Sequence, residues 1–93
     1  MIQIIERRMV GGRYHEHIAE VKYRNVGGTE VKRATRQGMV DWLDKSKDNQ
    51  AIVGIYPTAY VHVGTVHPDN SPAYIRTYAN GKWTDNLLSL EEY

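Results

Sequence analysis

The sequence predicts an α+β chain, a twisted and mainly antiparallel sheet with one α-helix packed on one face. Three stretches carry this expectation. From His17 to Val26 the side chains alternate, Ala19, Val21 and Tyr23 against Glu20, Lys22 and Arg24, which is the period of a strand with one buried and one solvated face. From Thr35 to about Lys47, Met39, Trp42 and Leu43 fall at i, i+3 and i+4 with Asp41, Asp44 and Lys45 opposite, the period of one amphipathic helix. Asn80-Gly81 is the strongest short hairpin signal, because a type I′ turn needs positive φ at both central residues.

Taken in order, Ile2 to Glu6 reads as a short strand with Ile2 and Ile4 on one face, and Gly11-Gly12 breaks it. The alternating strand to Val26 closes at Gly27-Gly28, and Thr29 to Arg33 is expected to return beside it. Thr35 can cap the helix, and Lys45 and Lys47 suit the negative end of its dipole. Gly38 inside that helix costs about 1 kcal/mol against Ala, which predicts a close approach by a neighbouring backbone. Gln50 to Ile55 is an apolar strand stopped at Tyr56-Pro57. Thr58 to His67 and Ala73 to Ala79 are longer strands joined by PDNSP, Lys82 to Thr84 is the return after Asn80-Gly81, and Leu87, Leu88 and Leu90 form a closing apolar segment.

A chain of 93 residues without a linker-like tract is read as one domain, 1–93, and at this size a monomer is marginally stable. With no cysteine, disulfides and thiolate metal sites are excluded. No apolar run approaches the length of a membrane span and the N-terminal charges follow the apolar residues, so a soluble cytoplasmic protein with no membrane partner is expected. Seven Tyr and two Trp stand beside no Phe. Such rings suit half-wet surfaces, either the rim of a small core or a contact surface. The net charge of +1 divides into +4 over residues 1–36 and −3 over 37–93. That asymmetry suits an anion or a head-to-tail oligomer, and is too small to mark a nucleic-acid binder.

With PDNSP as the loop, Thr65 pairs with Ile75, Val63 with Thr77 and Val61 with Ala79, a small and β-branched face fit to lie under Met39 and Leu43. The other face then carries Tyr60, His62, Gly64, Tyr74, Arg76 and Tyr78, with Gly64 opposite Arg76 and room there for a planar or anionic group. Arg76 offers a fork of donors for carboxylate or phosphate. Tyr74, Tyr78 and Trp83 offer stacking surfaces, and Thr84, Asp85 and Asn86 closely spaced polar groups able to read a ribose or base edge. The alternative is structural: Arg76 pairs with Asp85 across the hairpin, and Thr84-Asp85-Asn86 is a turn bonded to its own backbone. Tyr60 and His62 complete the candidate ligand-binding set.

Other chemistries find less support. His15-Glu16-His17 would place two imidazoles on one side of a strand, with His62 and His67 to complete a metal site, but no third ligand with the right geometry is identifiable and no metal is expected. Ser46, Ser71 and Ser89 have no evident base beside them. Gly27-Gly28 lacks the Lys-Ser/Thr of a phosphate-binding loop. Lys32, Arg33 and Arg36 could hold phosphate at the helix start or form a solvated rim.

Tyr74-Ile75-Arg76-Thr77, with Asn86, Leu87 and Leu90, resembles the C-terminal signature of a family of small uncharacterised bacterial and phage proteins classed as a domain of unknown function. The helix start ATRQGMVDWLDK resembles the same family's mid-chain helix. Asn80 stands where that family usually has Asp, and Glu91 follows Leu90 where it has Pro. The resemblance implies a module and brings no activity. The expectation is therefore a binding protein that needs no cofactor and is not an enzyme, a homo-oligomer that sequesters or senses a small anionic, nucleotide-like ligand, by analogy a phage sponge for a signalling nucleotide. The alternatives are an interaction or self-association module built on Tyr60, Tyr74, Tyr78 and Trp83, and a nucleotide hydrolase using His62 or His67.

Overall fold

A computed structural model describes residues 1–93. Eight strands form one mixed sheet: β1 (Ile2–Met9), β2 (Ile18–Asn25), β3 (Lys32–Thr35), β4 (Ala51–Ile55), β5 (Ala59–Val66), β6 (Tyr74–Ala79), β7 (Lys82–Thr84) and β8 (Glu91–Glu92). One helix, α1 (Arg36–Lys45), and two short 3₁₀ turns, His15–His17 and Asn86–Ser89, complete the chain. The strand order is β3-β2-β1-β4-β5-β6-β7, and β8 joins β1. Pairing is antiparallel throughout except at β1, which runs parallel to both β4 and β8. Together with α1 this makes an α+β chain.

β1 divides its second edge between two partners. Ile2 and Gln3 pair with Ala51 and Ile52, and further along Glu6 and Arg7 pair with Glu91 and Glu92. The change falls at a bulge on the first edge, where Ile4 faces Tyr23 and Glu6 faces Lys22, leaving Ile5 without a partner. An extra residue bends a strand and increases its twist, which suits a strand changing neighbours halfway. A second irregularity, between Arg8–Glu20 and Met9–Ile18, lets Ile18 and Val21 both be buried despite lying three apart.

The core gathers Ile2 and Ile4 from β1, Ile18 and Val21 from β2, Met39 and Val40 from α1, Ala51, Val53, Val63 and Ile75 from β4 to β6, and Leu87. Leu43, Val61, Leu88 and Leu90 pack against it. α1 touches β2, β3, β5 and β6. Its start is fixed as the sequence implies: the Gly38 N–H donates to Thr35 Oγ1 at 3.0 Å. The hairpin residues also adopt the expected geometry, with φ of 54° at Asn80 and 77° at Gly81. The β5–β6 register matches the expectation, Val63 with Thr77, Gly64 with Arg76 and Thr65 with Ile75.

Several local expectations are corrected. β1 runs on to Met9, because its far half gains β2 and β8 as partners. The strand returning beside β2 is Lys32–Thr35, not 29–33, and leads straight into α1. His15-Glu16-His17 is a 3₁₀ turn, so the two imidazoles do not share a strand face. Near Gly38 no neighbouring backbone approaches; a side chain there would meet only Thr35 Oγ1, at 3.1 Å. The tail EEY, unassigned by pattern, supplies β8 and the Tyr93 side chain, whose hydroxyl donates to Glu20 at 2.7 Å.

Candidate functional site

Residues directly opposite in neighbouring strands share a face, so the pairings of His62 with Tyr78 and Tyr78 with Trp83 carry three rings across β5, β6 and β7. The rings form a continuous row. Tyr56 and Tyr60 lie 5.1 Å apart between centroids, Tyr60 and His62 5.5 Å, His62 and Tyr78 6.1 Å in a stacked arrangement, and Tyr78 and Trp83 5.9 Å edge to face. These spacings lie within the range of favourable aromatic pairs. Tyr56, Tyr78 and Trp83 are each more than two-fifths exposed, so the row is a surface and not a core layer. Tyr56 was missed by sequence reasoning because it precedes Pro57 at the end of a strand; its only signal was another tyrosine four residues on.

Arg76 lies on the same face, two residues from Tyr78 and two from Tyr74. The space foreseen over Gly64 is occupied: a Cβ there would stand 3.1 Å from Tyr78 Cε1 and 3.4 Å from Trp83 Cη2. The Arg76 side chain instead reaches the far end of β7. Its Nε donates to the Thr84 carbonyl at 3.1 Å and its Nη2 to Asp85 Oδ1 at 2.8 Å. The cross-hairpin pair is thus present, with Asp85 itself largely exposed.

An open cleft of about 570 Å³ borders this pair, lined by Tyr74, Arg76, Asp85 and Leu88 on one side and by the turn Arg13 to Glu16 on the other. His15, 6% exposed, is the most deeply placed polar group there. Its Nε2 is buried without a hydrogen-bond partner, and the nearest carboxylate oxygen, Asp85 Oδ1, is 3.7 Å away. Burial, reinforced by the Arg76 charge, holds its pKa below the ordinary 6.5, and the imidazole is neutral at neutral pH. The sequence offered His15 only as half of a metal pair on a strand, and gave no sign of its burial, since a HEH triplet suits strand and turn equally well. Two arginines and two carboxylates line the cleft, so it presents donors and acceptors together.

Thr84 and Asn86 do not face the cleft partners. Thr77 is fully buried, and its hydroxyl lies 2.7 Å from Thr84 Oγ1 and accepts from the Asn86 N–H at 3.1 Å. Thr84 Oγ1 in turn donates to Asn86 Oδ1 at 2.7 Å. This network closes the core above Leu87 and locks the start of the second 3₁₀ turn. The structure therefore brings Tyr60, His62, Tyr78 and Trp83 together as a row, Tyr74, Arg76 and Asp85 together as a cleft wall, and places Thr84 and Asn86 in a structural network.

The remaining candidates are engaged elsewhere. His67 Nε2 is 2.9 Å from Asp44 Oδ2, beside the Thr65 hydroxyl that donates to the same carboxylate at 2.7 Å, and so ties the end of β5 to α1. Lys32 pairs with Glu30 at 3.6 Å, Arg33 with Glu20 at 3.9 Å, and Arg36 donates to the Glu16 carbonyl. No group of three His, Cys, Asp or Glu side chains is placed to hold a metal ion. No helix is long and apolar enough to cross a membrane.

The sequence model of one family, described as "Protein of unknown function (DUF3892)", matches residues 3–91. No curated protein and no solved structure matches the chain.

Proposed function

The chain belongs to this family of proteins of unknown function (DUF3892), which brings no activity with it, and we propose from the geometry that it is a non-enzymatic binding protein for a small anionic, nucleotide-like ligand. One observation carries the proposal: an exposed row of rings, Tyr56 to Trp83, runs along a sheet face and ends beside Arg76 on that same face. A base stacked on the Tyr78–Trp83 end gains about 1–3 kcal/mol. A phosphate attached to it meets the Arg76 guanidinium, exchanging one anionic acceptor, the exposed Asp85 carboxylate, for another. Sequestration of a signalling nucleotide by a homo-oligomer is the use that fits a binding protein of this size.

Thermal-shift and calorimetric titration with mononucleotides and cyclic dinucleotides tests the proposal. Binding is expected, weakened roughly 5- to 100-fold by Tyr78→Ala, the equivalent of one lost stacking contact. Failure of every nucleotide to bind at about millimolar concentration would overturn it. A second reading is favoured by the exposure of Tyr56 (44%), Tyr78 (41%) and Trp83 (46%), an aromatic strip suited to protein contact. In that case Tyr78→Ala lowers the mass seen in analytical ultracentrifugation and Arg76→Lys leaves it unchanged.

A further inference from the structure

Apart from the ring face, a cavity of about 530 Å³ lies between α1 and the β2–β3 hairpin. Its apolar walls are Ile2, Tyr23, Ala34, Met39 and Trp42. Volume and lining are those of a small-molecule site, since such pockets span about 300–1,000 Å³ and are mainly apolar with a few polar groups. Met39 is buried, whereas Tyr23, Ala34 and Trp42 remain partly exposed around the cavity. In a chain of 93 residues with a limited core, apolar area left unfilled beside that core is conspicuous.

Gly38 supplies an independent indication. A glycine inside a helix costs about 1 kcal/mol against alanine. Within the protein a Cβ at this position would crowd the capping Thr35 hydroxyl, at 3.1 Å, and would meet nothing else. Gly38 does line the cavity, so a side chain at position 38 would take up space that is now open. An occupant of that space gives the absent side chain a second reason beside the Thr35 cap.

The polar lining indicates the charge of the occupant. Lys32 is the one ionisable cation among the lining groups, and no carboxylate is among them. Its present partner, Glu30, stands 3.6 Å away, and both side chains are at least half exposed, so the pair is weak and readily exchanged. The first turn of α1, next to the cavity, holds no acidic residue that would repel an anion. We propose that this cavity binds a small amphipathic acid, its apolar ring or short chain against Trp42 and Met39 and its carboxylate on Lys32. The site is separate from the nucleotide-binding face and stands or falls without it.

Titration of the ¹⁵N-labelled protein with 4-phenylbutyrate, followed by two-dimensional NMR, tests the assignment. Saturable shifts are expected at the Gly38 amide and the Trp42 indole N–H, with those of Tyr78 and Trp83 unmoved. Gly38→Leu, which fills the space, should weaken binding at least about tenfold. Lys32→Gln should weaken the acid by roughly two- to fivefold, the range of an exposed ion pair, and leave the neutral alcohol 4-phenylbutanol unaffected. Absence of saturable shifts at Gly38 and Trp42 up to about 10 mM would overturn the proposal. So would a Gly38→Leu protein that stays folded by its amide spectrum and binds as the parent does. If Gly38→Leu instead dissociates an oligomer and phenylbutyrate has no effect, the cavity holds a second copy of the chain and the small-acid assignment is wrong.

Discussion

His15 should make the stability of this protein depend on pH in a way that one substitution abolishes. The imidazole is buried, its Nε2 has no partner, and the Arg76 guanidinium lies nearby, so the charged form is disfavoured in the folded state. In the unfolded chain the same group titrates near 6.5. The folded pKa is therefore the lower of the two, and between them the unfolded chain binds more protons. Stability should be complete above about pH 6.5 and fall as the pH drops towards the folded pKa. The steepest slope for one proton is about 1.4 kcal/mol per pH unit. His15→Gln keeps a polar, uncharged side chain of similar length and removes the titration. Urea unfolding at intervals from about pH 7.5 to pH 5 would compare the two proteins across that window. The difference in their free energies should be flat above the ordinary histidine range and then narrow by up to about one proton's slope below it. Parallel curves for the two proteins across the whole window would refute the assignment of a buried, neutral His15.

Leu87→Ala, at a fully buried position, should cost about 2–5 kcal/mol, read from the shift in the urea midpoint at unchanged slope. Thr77→Val keeps the shape and removes the hydroxyl that holds the Asn86 N–H, and should cost about 1–3 kcal/mol where Thr77→Ser costs less. Tyr93, half-buried and donating to Glu20, is held protonated well above the usual tyrosine range. Its folded pKa exceeds the unfolded value of 10.0, so its contribution is present below pH 10 and is lost as the pH rises beyond it. Ultraviolet titration of the seven tyrosines should show one that ionises later than the rest and is absent in Tyr93→Phe.

What could be read from the sequence was what neighbouring residues decide. The cap at Thr35, the turn at Asn80-Gly81 and the β5–β6 register all follow from chemistry within a few positions, and the structure has each of them. The register in turn puts Tyr60, His62, Tyr74, Arg76 and Tyr78 on one face. What could not be read depends on distant partners. The parallel pairing of β1 with β4 and β8 leaves no local trace, and the two bulges break the alternation that would have revealed the far half of β1. The burial of His15 was illegible for the same reason: it comes from β6 and Asp85, some sixty and seventy residues away. The filling of the space over Gly64 followed from ring orientation, which alternation does not specify.

The division of one edge of β1 between β4 and β8 also sets an order of events for folding. β1 is the first strand in the chain, yet one of its partners is the last. The β4–β7 meander and the β1–β2 hairpin can each zip from a nearby turn, whereas seating Glu91 and Glu92 on β1 closes a loop spanning almost the entire chain. The entropy of that closure grows only as the logarithm of its length, but it must be met before the contact rewards it, and long-range pairings form slowly. Until then the Glu6–Arg7 edge of β1 stands open, with unpaired backbone groups on a strand that also carries Ile2, Ile4 and Ile5. The three tail residues therefore act as a latch that shuts this edge against other copies of the chain, and a partly folded molecule lacking it would be the species most prone to aggregate.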